Sequence, residues 1–210
     1  MLYSLEQIKR TVDHKNYKWF NDSQNKGYDV NIVGVRNSDT NNKVTNRFDD
    51  ILTLSYKDDK GVWCYHEFDC TTDPGTHYMD SPIVESKGTA ILKPGQYRGS
   101  HMIRKHQGRY EALCQKKAVK VYRDNNRDDI YNLNTENIDE GIFGINIHRA
   151  TKYAGKKSTQ IDKWSAGCQV IASNDDWTFF MKIMRKARDI WGNSFSYTLL
   201  ESKEIIKTWI

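Results

Sequence analysis

The chain is poor in proline, with 3 residues in 210, and it contains no low-complexity tract. Polyproline linkers and collagen-like repeats are therefore excluded. It has only four cysteines, Cys64, Cys70, Cys114 and Cys168, and they form neither a CxxC pair nor a zinc-ribbon pattern. That excludes a disulfide-dense scaffold and a zinc finger, and reduced thiols are the default. Cys64 and Cys70 flank one expected strand, which would hold their α-carbons ~20 Å apart, too far for a disulfide. No run approaches the ~18 apolar residues of a membrane span, so membrane insertion is not expected. The stretch MLYSLEQIKRTVDHKNYKWF lacks the apolar h-region of a secretory signal, and a protein made in the cytoplasm is the expectation. Lysine and arginine never cluster in blocks longer than two, and the aromatics are not interleaved with them, so no nucleic-acid partner is expected.

What is present points to a folded chain. Hydrophobic residues make up 38%, charged residues 28% and aromatics 12%, and the net charge of +5 with a pI near 8.9 favours contact with polyanions. The length suits one domain spanning 1–210, with an N-terminal helix and loop over 1–27 and a β-rich core over 28–210, expected as a monomer. Ser4 with Gln7 forms a capping box, and Leu5, Ile8, Val12 and Trp19 share a face, which predicts a helix over 4–20. A β-branched run at 28–37 is followed by two alternating runs joined by Asp58-Asp59-Lys60-Gly61, a hairpin signal.

Asp73-Pro74-Gly75 and Pro94-Gly95 read as turns, and YEALCQ with AVKVYRD reads as a second hairpin turning at Lys116-Lys117. GIFGINIHR is expected as a strand with residues 143, 145 and 147 inward, which turns Asn146 and His148 off the core face. Asn174 is the expected N-cap of a helix whose Trp177, Phe180, Met184, Ala187 and Trp191 recur at helical spacing as core. FSYTLLES closes as a late strand. The fold class expected is α+β, a mainly antiparallel sheet or sandwich with an N-terminal and a C-terminal helix.

Two residues carry candidate chemistry. A thiol is mostly protonated at neutral pH, so a nucleophilic cysteine needs a neighbouring histidine or oriented amides. His148 on its strand and Cys168 in a glycine-containing bend are placed to meet. Gly167 would let the backbone turn and bring amides to a developing oxyanion. The polar, basic segment 149–163 is expected as a flap. His101 and His106, with Arg104, Arg109 and Tyr110 nearby, are candidates to line a substrate groove. A zinc site from His148, Cys168 and one of those histidines has no supporting spacing, so neither metal nor cofactor is expected.

The order INIH followed by SAGC resembles the L,D-transpeptidase (YkuD-like) catalytic domain, whose signature is a strand-borne His followed by Ser-x-Gly-Cys. ILKPGQYRG is similar to that family's Thr-Pro-x-Gly-x-Tyr strand turn. The resemblance implies a divergent, phage endolysin-type member with Cys168 as nucleophile, His148 as base and Ser165 orienting His148 through its backbone carbonyl. Gly167 and the amide of Cys168 would lie at the oxyanion. It implies a thioester with peptidoglycan stem peptides as partners, and, taken with the lack of an export signal, a hydrolytic rather than cross-linking outcome and action on the cell wall after holin-type release. Arg149, Ala166 and Val170 stand where the family usually has Gly, His and Arg. Carboxylate recognition would then pass to Arg149, Lys163 or Arg104, with Trp164, Gln169, His106 and Tyr110 as further substrate-binding candidates. A non-catalytic wall-binding or virion structural protein and a zinc-dependent wall peptidase are the alternatives.

Overall fold

The computed structural model describes residues 2–80 and 87–207. In chain order they form α1 (Leu5–His14), β1 (Asn31–Arg36), β2 (Asp50–Lys57), β3 (Trp63–Thr71), α2 (Thr76–Asp80), β4 (Thr89–Leu92) and β5 (Gly95–His106). There follow β6 (Tyr110–Gln115), β7 (Val119–Asp124), β8 (Ile138–Gly141), β9 (Ile147–Arg149), β10 (Gln169–Ile171), α3 (Asn174–Trp191) and β11 (Phe195–Glu201). Eight strands close into a barrel in the order β1-β11-β5-β6-β9-β10-β3-β2, and β4-β7-β8 form a separate small sheet. The mixed, mostly β character and the terminal helices are as expected, but the main sheet closes on itself rather than stacking as a sandwich. Two pairings are parallel, β1 with β11 and β9 with β10, while the others are antiparallel.

Local chemistry explains where the elements start and stop. The capping box is present, with Gln7 N donating to Ser4 Oγ at 3.2 Å and Ser4 N to Gln7 Oε1 at 2.9 Å. The helix stops at His14 instead of 20, because Asn16 turns left-handed (φ 56°) and Tyr17 N and Asn16 N bond back to Val12 O and Asp13 O. That pairing is a Schellman cap, and asparagine tolerates its left-handed position. Trp19 lies past the helix yet packs with Ile8, Val12, Val33, Val35 and Leu200 in a second core on the outer side of β1.

The β2–β3 hairpin turns at Asp58–Gly61, with Gly61 N on Asp58 O at 3.0 Å. The hairpin expected between β6 and β7 does not form. β6 belongs to the barrel and β7 to the small sheet, and Gln115 holds the divergence by donating from Nε2 to Lys117 O and Gly141 O.

The cap of α3 lies one residue earlier than expected. Ser173 Oγ accepts from Asp176 N at 3.3 Å, while Asn174 is the first helical residue. Trp177, Phe180, Met184 and Ala187 are buried in the main core as expected, and Trp191 ends the helix with its Nε1 donating to Gly27 O at 2.8 Å. Trp177 meets the Tyr110 ring edge-on, and Phe180 meets Phe68 in the same way. The helix is thereby fixed next to β6, β9 and β10, the strands that carry the candidate site.

Candidate active site

The site is built on the parallel β9–β10 pair, where Gln169 registers with Ile147 and Val170 with His148. One step back, Cys168 falls opposite Asn146, so Asn146, His148 and Cys168 project to the same side. Contacts agree: Gln169 N donates to Asn146 O at 2.8 Å, and Asn146 N points at Cys168 Sγ at 3.5 Å. The thiol itself donates to Gly144 O at 3.3 Å. The expected strand from 141 to 149 is shorter, covering only Ile147–Arg149, and Gly144 (φ 77°) bends the chain before it.

His148 is 5% exposed, so turning off the core face did not bring it to solvent. His106 stacks on it at 4.4 Å with 23° between the rings. Its Nδ1 lies 2.9 Å from Arg149 O, and a carbonyl can only accept, so the neutral ring carries its proton on Nδ1. Nε2 is then the basic nitrogen, and it has no hydrogen-bond partner among the described residues. Burial first, and the neighbouring His106 second, lower the imidazole to about 4, against a smaller upward pull from the Arg149 carbonyl. Burial likewise pushes the Cys168 thiol up to about 11. The resting pair is thus a neutral thiol and a neutral imidazole.

Gly167 is required where it stands. Its φ is +119°, and a Cβ there would overlap the carbonyl oxygen of Ala90. Its amide, however, donates to Ser165 Oγ at 3.1 Å and is not free for an oxyanion. The amide of Cys168 makes no hydrogen bond among the described residues and remains available.

Ser165 has a different task from the expected one. Its carbonyl accepts from Gly75 N at 2.9 Å rather than orienting His148, and its Oγ donates to Cys168 O at 2.8 Å. Ser165 shapes the bend that presents the cysteine, and the Arg149 carbonyl orients the histidine.

Of the substrate-binding candidates, Tyr110, His106 and Arg149 join the cluster. The Tyr110 hydroxyl is 3.5 Å from His148 Nδ1, its ring lies 4.4 Å under the Arg149 guanidinium, and Arg149 Nη1 donates to Asn174 Oδ1 at 3.2 Å. Trp164 (45% exposed) and Lys163 sit on the surface of the loop entering Ser165, and Arg104 is exposed on β5. Lys163 and Arg104 make none of the contacts that join the cluster.

Gln169 is 1% exposed and cannot reach a substrate. Its Oε1 accepts from Tyr197 Oη at 2.7 Å and its Nε2 donates to Gly167 O at 3.2 Å and Thr72 O at 3.4 Å. Tyr197 reaches it because Gly34 has no side chain: a Cβ there would overlap the hydroxyl.

His101, expected beside the groove, is 1% exposed; its Nε2 donates to Ile145 O at 2.9 Å. The basic flap is stitched down. Ser158 N bonds Ala172 O, Ile161 N bonds Asn46 O, and Lys157 pairs with Asp69.

Asn146 and Tyr197 were not singled out from sequence. The alternation that put Asn146 beside His148 was the available signal for the first, and nothing local marks the second. All four cysteines are free thiols. Among the described residues, no group of three His, Cys, Asp or Glu side chains is placed to hold a metal ion. No helix among them is long and apolar enough to cross a membrane. Compared with known proteins, the chain matches no family model, no curated protein and no solved structure.

Proposed function

We propose that this protein is a cysteine acyl-transfer enzyme of L,D-transpeptidase type acting on peptidoglycan stem peptides. The observation that carries the reading is the Nδ1–H of His148 held by the Arg149 carbonyl, which leaves Nε2 as base on the side of the sheet that Cys168 occupies. Cys168 Sγ attacks a peptide carbonyl carbon as His148 Nε2 takes the thiol proton, and the Cys168 amide donates to the oxyanion. Collapse of the tetrahedral adduct expels the amine, which receives the proton from His148, and leaves a thioester. Water or a second amine then attacks the thioester and returns the thiol. With the thiol raised and the imidazole lowered, proton transfer accompanies attack, since a preformed ion pair is disfavoured. Arg149, which has no carboxylate partner among the described residues, is the group we assign to a substrate carboxylate.

The test is mass spectrometry of purified sacculi incubated with the wild type and with Cys168→Ala. Fragments or exchanged peptides that need Cys168 support the reading and identify the bond; equal release by the variant sinks it. A wall-binding protein without catalysis is the second reading, favoured by the protonated thiol resting on Gly144 O. It predicts sacculus binding by both proteins with no release from either.

A further inference from the structure

Asn146 occupies a junction in the cluster. Its backbone N–H faces Cys168 Sγ at 3.5 Å, its side-chain Oδ1 accepts from Gln115 N at 2.8 Å, and its Nδ2 lies 3.1 Å from His106 Nδ1. An amide nitrogen can only donate, so His106 Nδ1 is the acceptor and carries no proton. The same His106 ring is stacked face to face on His148. One side chain therefore touches both halves of the thiol–imidazole pair, the sulfur through Asn146 and the base through the stack. We propose that His106 is a positioning residue of the Cys168–His148 pair, holding Asn146 against the sulfur and keeping His148 neutral by competing with it for a single proton.

The competition follows from geometry. Two stacked imidazoles at this separation, both largely buried, do not both hold a charge. The two rings compete for the first proton taken up on acidification, and whatever share His106 holds keeps His148 a neutral base. Burial and the Arg109 charge lower His106 as well. The other groups facing the two rings are the Tyr110 hydroxyl and ring, the Arg149 carbonyl and, across Tyr110, the Arg149 guanidinium. α3 contributes the uncharged Trp177 and Asn174, and the thiol of Cys168 lies close enough to Tyr110 to raise its hydroxyl. Burial moves the Tyr110 hydroxyl further from the acid range, so the two histidines account for the coupling.

This inference rests on the proposed reading only in calling the pair reactive, and two measurements separate them. One is the imidazole NMR titration of His148 and the other is the pH dependence of Cys168 alkylation by iodoacetamide; neither needs a wall substrate. His106→Gln keeps an acceptor for Asn146 Nδ2 and removes the titrating ring, whereas His106→Phe keeps the stack and removes the acceptor. Both variants should raise the His148 midpoint, and with it the acid limb of alkylation, by about one pH unit. Only His106→Phe should slow alkylation at the plateau, by roughly tenfold, as Asn146 leaves the sulfur. An unmoved midpoint in either variant, or loss of folding in both, would overturn the proposal. A sacculus assay that is silent for the wild type while these shifts appear would reject the wall enzyme and leave the role of His106 standing.

Discussion

Replacing Gly167 by alanine tests how Cys168 is presented. At φ +119° the residue lies in a region essentially reserved for glycine, so alanine brings backbone strain of ~1–3 kcal/mol. The new Cβ also overlaps the carbonyl of Ala90, which pairs with Arg123 in the β4–β7 ladder and is backbone that cannot step aside. Overpacking of that kind costs ~1–3 kcal/mol. The two together come to about 4 kcal/mol, and the hydrogen bond from the Gly167 amide to Ser165 Oγ is lost if the loop moves to relieve the overlap.

Gly155 is the internal control, since it too has positive φ (69°) but nothing lies within 4 Å of a Cβ there. Gly155→Ala should cost only ~1 kcal/mol. At this chain length each kcal/mol moves the melting temperature by ~2–4 °C, so thermal unfolding should show a loss of ~8–16 °C for Gly167→Ala against ~2–4 °C for the control. Equal losses would show that the contact with Ala90 does not hold the bend, and the argument for how Cys168 is presented would fail.

Iodoacetamide should reach Cys168 and Cys64, which keep some exposure, and spare the buried Cys70 and Cys114. His148→Ala should slow labelling of Cys168 by an order of magnitude without touching that of Cys64, as read by peptide mass spectrometry; parallel slowing at both sites would count against the base assignment. Burial lowers His101 to about 4, below its unfolded value near ~6.5, so over that window the unfolded chain binds the extra proton. Stability therefore falls as pH drops from ~6.5 toward 4, and urea midpoints should show His101→Gln losing less on acidification than the wild type. Treatment with EDTA should leave any Cys168-dependent release from sacculi intact, and a loss restored by zinc would replace the proposed thiol mechanism with a metal one.

What was legible in the sequence was local. The Ser4–Gln7 box, the Asp58–Gly61 turn and the apolar stripe of α3 each depend on a few neighbouring residues, and each stands in the fold. Barrel closure depends on β1 pairing in parallel with β11, strands from opposite ends of the chain, for which no nearby residue is a signal. YEALCQ and AVKVYRD alternate as a hairpin would, and only the Gln115 side chain, engaged by distant backbone groups, reveals that they part.

In the site, alternation correctly grouped Asn146 with His148 but was silent on what covers that face. His148 is buried because His106 arrives from β5 and stacks on it. Gln169 looked like a polar residue beside a nucleophile, whereas its parity with Ile147 sends it inward to Tyr197. Ser165 occupied the expected position, yet its carbonyl was claimed by Gly75, a contact between segments far apart in sequence.

The link from Gly34 through Tyr197 to Gln169 has a dynamic consequence. Gln169, next to Cys168, is tethered across the barrel to β11, whose hydroxyl-bearing tyrosine is seated over a glycine of β1. Displacing the Cys168 bend therefore strands a buried amide and a buried phenol together, a penalty of ~2–6 kcal/mol that couples the bend to the seam between the first and last strands. In hydrogen-exchange experiments the amides of β10 should exchange with β1 and β11 as one cooperative unit, while the exposed turn around Gly155 exchanges far sooner.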